Sequence, residues 1–200
     1  EGRPLGFLDH HLQVGDALLG LTDLKVQKQG IAKDAFKPLS GDDKDTCKEL
    51  AKANAAGLKQ IAKDLQGQQM LLGVDNRSGL EALRAIETLP ADTPEQVAAK
   101  EQAWRRFLEE SAHSPLAHAA DALAGAYLLP KTEDTAEAVP TSITLHALLT
   151  APERAQTEHA APIAAARAAC EQARVFHWPL AFPQVFAQGG FDCVLGNPPW

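Results

Sequence analysis

The chain has 200 residues, of which 45% are hydrophobic and 22% are charged, and its formal net charge is −7. This balance is ordinary for a soluble globular protein, and the negative charge argues against a chain that binds DNA through its own electrostatic field. No apolar stretch approaches the ~18 residues of a membrane-spanning helix and no signal peptide opens the chain, so we expect a cytoplasmic protein without membrane contact.

Alanine is frequent and aromatic residues make up only 6% of the chain, which favours helices over sheet. The cysteines, Cys47, Cys170 and Cys193, are scattered and lack CxxC spacing, so we expect reduced thiols rather than disulfides or a zinc site. The adjacent His10 and His11 point to different faces, and no carboxylate–His spacing follows them. The sequence therefore predicts no metal site.

The first informative stretch is Phe7–Gly20, with the sequence FLDHHLQVGDALLG. Its Asp16 follows Gly15 and precedes Ala17 and two leucines. Gly-Asp followed by leucines is typical of an ordinary strand-to-turn junction.

Residues 21–174 carry the marks of a helical region. Mixed charge and the residues Pro38, Ser40 and Gly41 indicate a connector over 21–41. Beyond it, apolar periodicity and capping signals predict successive helices. Their expected starts are Asp42 or Asp43, Ser78, Thr93, Ser114, near Thr141 and near Pro152, with Pro162 interrupting the last helix. The polar, acidic run 131–140 is expected to form an exposed loop.

Two features of this region have competing interpretations. Trp104 would suit a stacking platform for a base, but its helical spacing to Phe107 and Leu108 favours a place in the core. The lysines of the first long helix would suit a DNA-facing row, although a solvated helix face more often explains such a run. We therefore expect both features to be structural.

Residues 175–186, with the sequence VFHWPLAFPQVF, are dense in aromatic residues and prolines. Because proline fixes φ and restricts the residue before it, we expect an extended strap whose rings pack the helical region onto a sheet. His177 lies between Phe176 and Trp178. Contact with substrate is one possible role for it, but a core histidine is the better interpretation.

The last ten residues, FDCVLGNPPW, carry the most specific signal. Phe191–Leu195 is a short apolar run typical of a buried parallel strand, and Gly196 permits the close approach of a ligand. Two prolines remove N–H donors, which leaves the Asn197 side-chain oxygen and the Pro198 carbonyl to accept hydrogen bonds from one amino group. Trp200 offers a flat face for a base, and such stacking is worth about 1–3 kcal/mol.

This motif resembles the Asn-Pro-Pro-aromatic motif of large N6-adenine DNA methyltransferases of the restriction-modification and phage-defence type. The resemblance implies that Asn197, Pro198, Pro199 and Trp200 hold a flipped adenine whose amino group attacks the methyl group of S-adenosylmethionine. That chemistry depends on positioning and polarisation, so a motif without a titratable side chain suits it. A solvent-exposed turn after a buried strand is the alternative explanation.

Two further stretches, 7–20 and 175–192, are similar to segments of the same family. The resemblance implies that Asp16 ends the third strand of a sheet and contacts the adenine of the methyl donor. We therefore expect a mainly α chain with a methyltransferase-core segment (1–20), a helical insertion domain (21–174), and an aromatic strap with the strand and catalytic loop (175–200). The short flanking strands would belong to a Rossmann-like α/β sheet in a parent protein.

Other motifs of such enzymes are missing from the sequence, which has no glycine-rich loop after a strand and no acidic ribose contact behind one. The chain also opens without Met and ends on the catalytic motif. We expect a fragment that neither binds S-adenosylmethionine well nor methylates alone, while the parent enzyme acts on double-stranded DNA. We expect the end segments of the fragment to pair together, to lean on neighbouring chains or to lie irregularly.

The alternative function is non-enzymatic. The helical insertion would then mediate contact with DNA or with a partner subunit in a restriction or phage-defence complex. A basic, lysine-lined helix face would favour DNA, whereas an exposed apolar patch would favour protein. Because the net charge is −7, protein contact or intramolecular packing is the preferred form of this alternative.

Overall fold

The computed structural model describes residues 11–65 and 75–196. These residues are mainly helical, as the sequence predicted, and their β-structure is limited to one isolated parallel bridge between Asp16 and Val175. No helix in these ranges is both long enough and apolar enough to cross a membrane. The helices are α1 (Lys44–Asp64), α2 (Arg77–Glu87), α3 (Pro94–Ala112), α4 (Pro115–Leu128), α5 (Ser142–Thr150), α6 (Pro152–Glu158), α7 (Ala160–Gln172), α8 (Trp178–Ala181) and α9 (Pro183–Phe186), with short 3-10 helices at Leu24–Gln29, Lys33–Phe36 and Ala136–Ala138.

Several helix starts lie where the capping signals placed them. The Asp43 carboxylate accepts hydrogen bonds from the first backbone N–H groups of α1, which have no partner within the helix. Thr93 and Gln96 form the predicted capping box of α3, and Ser114 caps α4 ahead of Pro115. The expected interruption near Pro162 is also present, because α6 ends at Glu158 and α7 begins at Ala160.

Two local predictions were wrong. Asn76, rather than Ser78, precedes the first residue of α2. The run 131–140 does not begin as an exposed loop, because Lys131 is only 1% exposed. The Lys131 N–H donates to the Asp42 carboxylate at 2.9 Å, and its carbonyl accepts from Asp43 N–H at 2.9 Å. These partners lie almost ninety positions earlier, so local composition does not reveal them.

Helix α4 lies at the centre of the main hydrophobic core. It packs against α7 and α5, and its alanines allow these helices to approach closely. At Gly125 the approach is closest, since an added Cβ would lie 2.6 Å from Ala166 Cβ in α7. The buried residues of this core are Ile31, Ala35, Phe36, Leu50, Ala119, Ala122, Ala126, Val139, Leu145, Leu148, Ala155 and Ile163.

A buried asparagine joins α1 to this core. Asn54 lies on the buried face of α1 and is 2% exposed. Its amide donates to the Ile31 carbonyl at 2.8 Å and accepts from the Ser142 N–H at 2.7 Å. The Ser142 hydroxyl in turn accepts from the Ile31 N–H at 2.9 Å. Asn54 therefore satisfies backbone groups on two other segments, which explains its burial.

Helices α2 and α3 form a second cluster. Leu83 and Ile86 of α2 pack with Trp104 and Phe107 of α3, and the two aromatic rings stack at a centroid distance of 5.2 Å. The prediction that Trp104 belongs to the core is confirmed. Leu108 was wrongly placed on the same face, since it is 41% exposed.

The predicted extended strap over 175–186 was wrong. Val175 makes the isolated bridge to Asp16, but the chain then turns into α8 and α9. The prolines explain the difference, because Pro179 and Pro183 lie in the first turns of these helices. At that position the fixed φ of proline suits a helix, and its missing N–H has no partner to lose.

The expected strand Phe191–Leu195 is not formed, and residues 191–196 lie irregularly. Val194 and Leu195 are 68% and 93% exposed. A strand is stable only when another strand pairs with its backbone, and the described residues offer no such edge. The irregular path agrees with one of the outcomes expected for the end segments.

Replacing Gly125 with Ala should destabilise the protein by about 1–3 kcal/mol through overpacking, although Ala is normally favoured over Gly inside a helix by about 1 kcal/mol. The new Cβ meets Ala166 Cβ and Cα, which cannot rotate away. Gly57→Ala is the matched control, because its Cβ meets the Ile143 side chain, which can adjust. Urea denaturation measures both, and a Gly125→Ala protein as stable as Gly57→Ala would contradict the packing argument.

A second prediction concerns the acid stability of the α4 region. Burial lowers the pKa of His118, and Arg167 lowers it further. The unfolded chain then binds the proton more readily than the folded one, so stability is fully present above the ordinary histidine pKa of about 6.5 and declines as pH falls below it. Burial also lowers the pKa of His146, which adds to the trend. Urea midpoints between pH 5 and 8 should therefore rise with pH, and His118→Gln should flatten the rise; an unchanged slope would exclude His118 as a cause.

Candidate functional site

The chain segments on either side of the main helical region meet in space. We call residues 15–21 the Asp16 turn and residues 175–191 the aromatic segment. Asp16 N–H donates to the Arg174 carbonyl at 2.7 Å, and Phe176 N–H donates to the Leu19 carbonyl at 2.9 Å. Trp178 N–H continues the series to the Leu21 carbonyl at 3.0 Å. The end of the helical region therefore lies next to its start.

Two glycines make this close contact possible. A Cβ at Gly15 would lie 2.5 Å from the Phe176 ring, and a Cβ at Gly20 would overlap the Phe176 backbone carbonyl. Gly20 also has φ +116°, a backbone conformation that other residues rarely adopt. Both positions therefore require glycine, and the contact with Phe176 is the physical reason.

Asp16 lies in the turn with its carboxylate oriented by the backbone. The side-chain Oδ1 accepts from Leu18 N–H at 2.9 Å, while the Asp16 carbonyl accepts from Leu19 N–H at 3.1 Å. The residue is exposed. An exposed, oriented carboxylate can accept hydrogen bonds from the amino or hydroxyl groups of a ligand. The cofactor role of Asp16 stays a prediction.

His177 links the aromatic segment to the turn and to α4. Its Nδ1 accepts from Leu21 N–H at 3.1 Å, so this nitrogen carries no proton. The neutral ring then carries its proton on Nε2, which donates to the Asp121 carboxylate at 3.2 Å. The side chain is 9% exposed, which confirms the prediction of a core histidine. Sequence reasoning missed both partners, since they lie 156 and 56 positions away and carry no local signal.

The rings of the aromatic segment pack against one another up to Phe191. Phe191 packs edge-on against Trp178, Phe182 and Phe186, with centroid distances of 5.6, 5.5 and 6.0 Å. Phe191 stands six positions before Asn197 in the sequence. The predicted catalytic residues themselves, Asn197, Pro198, Pro199 and Trp200, lie outside the described residues.

A cavity of about 380 Å³ is lined by Val14, which precedes the Asp16 turn, and by Cys170. Burial raises the pKa of the Cys170 thiol, and the nearby Asp121 carboxylate raises it further. The thiol stays protonated at neutral pH, so it is unsuited to act as a nucleophile. Residues 11–65 and 75–196 contain no cluster of His, Cys, Asp and Glu that could hold a metal ion.

Exposed apolar side chains gather on the end segments. Leu12, Val14 and Leu18 are 73%, 89% and 73% exposed beside the Asp16 turn, and Val194 and Leu195 are similarly exposed near the C-terminal motif. The lysine-bearing α1 has a different surface, in which Lys48 pairs with the neighbouring Asp45 at 2.8 Å in solvent. Of the two surfaces, the apolar one more strongly indicates a covering structure.

Residues 127–200 match the model of a protein family described as Eco57I restriction-modification methylase. The matched part runs from the end of α4 through the aromatic segment to the C-terminal motif, and it supports a DNA methyltransferase of a restriction-modification system. Neither the curated proteins nor the solved structures gave a match.

Variants of His177 should separate its two hydrogen bonds. His177→Ala leaves the buried Leu21 N–H without its acceptor, which should cost about 1–3 kcal/mol. His177→Asn should cost less, because its side-chain oxygen can replace Nδ1 as the acceptor. Amide hydrogen exchange at Leu21 measures the difference, and equal exchange in both variants would show that this bond does not hold the turn.

Proposed function

We propose that the chain is part of a DNA methyltransferase that transfers a methyl group from S-adenosylmethionine to the N6 amino group of adenine in double-stranded DNA. The observation that carries the proposal is the match of residues 127–200 to a restriction-modification methylase family, since that range includes the Asn-Pro-Pro-Trp motif. The meeting of the Asp16 turn with the aromatic segment supports it.

The proposed roles follow from the chemistry of each residue. When bound, S-adenosylmethionine supplies an electrophilic methyl group. The Asn197 side-chain oxygen and the Pro198 carbonyl accept both hydrogens of the adenine amino group, which directs its lone pair at the methyl carbon. Pro199 stiffens the loop, and Trp200 stacks on the flipped base. The amino group would give up one proton on accepting the methyl group, and because the motif has no titratable side chain, that proton would pass to solvent.

Asp16 suits a role in binding the methyl donor. The carboxylate is exposed and held by Leu18 N–H, so an amino group or hydroxyl of the donor can approach its free edge. The described residues lack the glycine-rich loop that would cradle the rest of that molecule, so we assign the loop to another part of the enzyme. On this account the present chain binds S-adenosylmethionine weakly and does not methylate alone.

The proposed organisation has a core segment over 1–20, a helical insertion over 21–174, and the aromatic and catalytic part over 175–200. Two observations support it. The first and last segments are hydrogen-bonded to each other across the insertion. Their apolar side chains, including Val14 and Leu195, are exposed, as expected of strands whose neighbours in a Rossmann-like sheet lie elsewhere in the enzyme.

In the enzyme that contains this chain, Asn197→Ala should reduce methyl transfer to adenine by at least about 100-fold, the usual effect of removing a group that acts at the reacting centre. Affinity for S-adenosylmethionine should change little, because Asn197 is assigned to the base. Mass spectrometry of digested DNA measures N6-methyladenine, and isothermal titration measures the donor.

The control is Gln60→Ala, which removes an exposed side-chain amide from α1 and should leave the rate unchanged. Retained methylation in Asn197→Ala, or methylation of cytosine rather than adenine by the unaltered enzyme, would refute the assignment.

A further inference from the structure

We propose that Trp178 is a positioning residue that holds the Asp16 turn and the segment leading to Asn197 in one fixed arrangement. This inference rests on the proposed function, in which Asp16 belongs to the methyl-donor site and Asn197 to the base site. Methyl transfer between two bound molecules needs those sites at a fixed separation, and a misplacement of about 1 Å can reduce a rate by about 100-fold.

The first contact of Trp178 is with the turn. Its indole Nε1–H donates to the Ala17 carbonyl at 3.1 Å. Ala17 directly follows Asp16, and the same turn is closed by Leu18 N–H on the Asp16 carboxylate. Fixing the Ala17 peptide therefore restricts the backbone that orients the Asp16 side chain.

The second contact is with the start of the C-terminal segment. The indole ring meets Phe191 edge-on, with centroids 5.6 Å apart and an interplanar angle of 83°. Phe191 is separated from Asn197 by only five residues, which makes it the last aromatic residue before the motif. An edge-on aromatic pair contributes about 0.5–1.5 kcal/mol beyond the area that it buries.

Trp178 is itself held rigidly, as a positioning residue must be. Its backbone N–H donates to the Leu21 carbonyl at 3.0 Å, and its ring also packs against Phe176 and Phe182. The neighbouring His177 fixes the Leu21 N–H on the other side. The Trp178 side chain thus contacts both the Asp16 turn and Phe191.

The two contacts can be separated by substitution. Trp178→Phe keeps a ring against Phe191 but removes the N–H that binds Ala17, whereas Trp178→Leu removes both. Trp104→Phe is the matched control, since it makes the same chemical change in the α2–α3 cluster, away from the turn.

In the enzyme that contains this chain, Trp178→Phe should raise KM for S-adenosylmethionine about three- to tenfold, as expected for one neutral hydrogen bond, and leave kcat within about threefold. Trp178→Leu should also lower kcat by about 100-fold. Trp104→Phe should lower thermal stability without changing either constant well below the unfolding temperature. Trp178→Phe kinetics equal to those of the unaltered enzyme or of Trp104→Phe would overturn the inference.

A second measurement uses the 200-residue chain and needs no activity. Amide exchange at Leu18 and Leu19, which close the Asp16 turn, should be about three- to tenfold faster in Trp178→Phe and unchanged in Trp104→Phe. Unchanged exchange in Trp178→Phe would overturn the inference whatever reaction the enzyme performs. If the unaltered enzyme leaves adenine unmethylated while exchange still increases, the proposed function fails and the mechanical link through Trp178 stands.

Discussion

Backbone hydrogen bonds between the Asp16 turn and the aromatic segment fix where the helical region begins and ends. Closing a loop of this length costs conformational entropy, although the cost grows only slowly with the number of residues. The cost is offset inside the loop, where α4 packs against α7 and α5 around a nearly continuous apolar core. This closure brings Asp16 next to Val175, and it sets Gly15 and Gly20 against Phe176.

The closure is connected to the core through His177. Its Nδ1 accepts a hydrogen bond from Leu21 N–H in the turn, and its Nε2 bonds to the Asp121 carboxylate on α4. A displacement of α4 would therefore reach the turn through this imidazole and through Leu21, which packs in one buried cluster with Ala120 of α4. This connection couples the helical region to the Asp16 turn.

The match to a restriction-modification methylase and the local geometry support each other from different evidence. The match covers residues 127–200 and does not include Asp16. The geometry brings Asp16 to that matched part through three backbone hydrogen bonds. The proposed function needs a methyl-donor contact near the base-binding loop, and the described residues place Asp16 beside Val175, at the start of the segment that leads to that loop.

Local signals in the sequence determined most of the helices. Capping residues such as Thr93 and Ser114 satisfy N–H groups that are within a few positions of them, so their effect is visible without a fold. The same local logic identified Trp104 as a core residue. The prediction from local signals failed at Pro179 and Pro183. Proline occurs both in extended segments and in the first turns of helices, and the neighbouring sequence does not distinguish these two cases.

The sequence by itself determined the helical class and, through its last residues, the hypothesis of adenine methylation. Tertiary structure alone decided that Lys131 is buried, that Gly20 is required opposite Phe176, and that Trp178 contacts both the Asp16 turn and Phe191. The physical reason is sequence distance. These contacts join residues from about thirteen to 160 positions apart, and whether a donor, a carbonyl or a ring finds its partner depends on how the intervening helices pack.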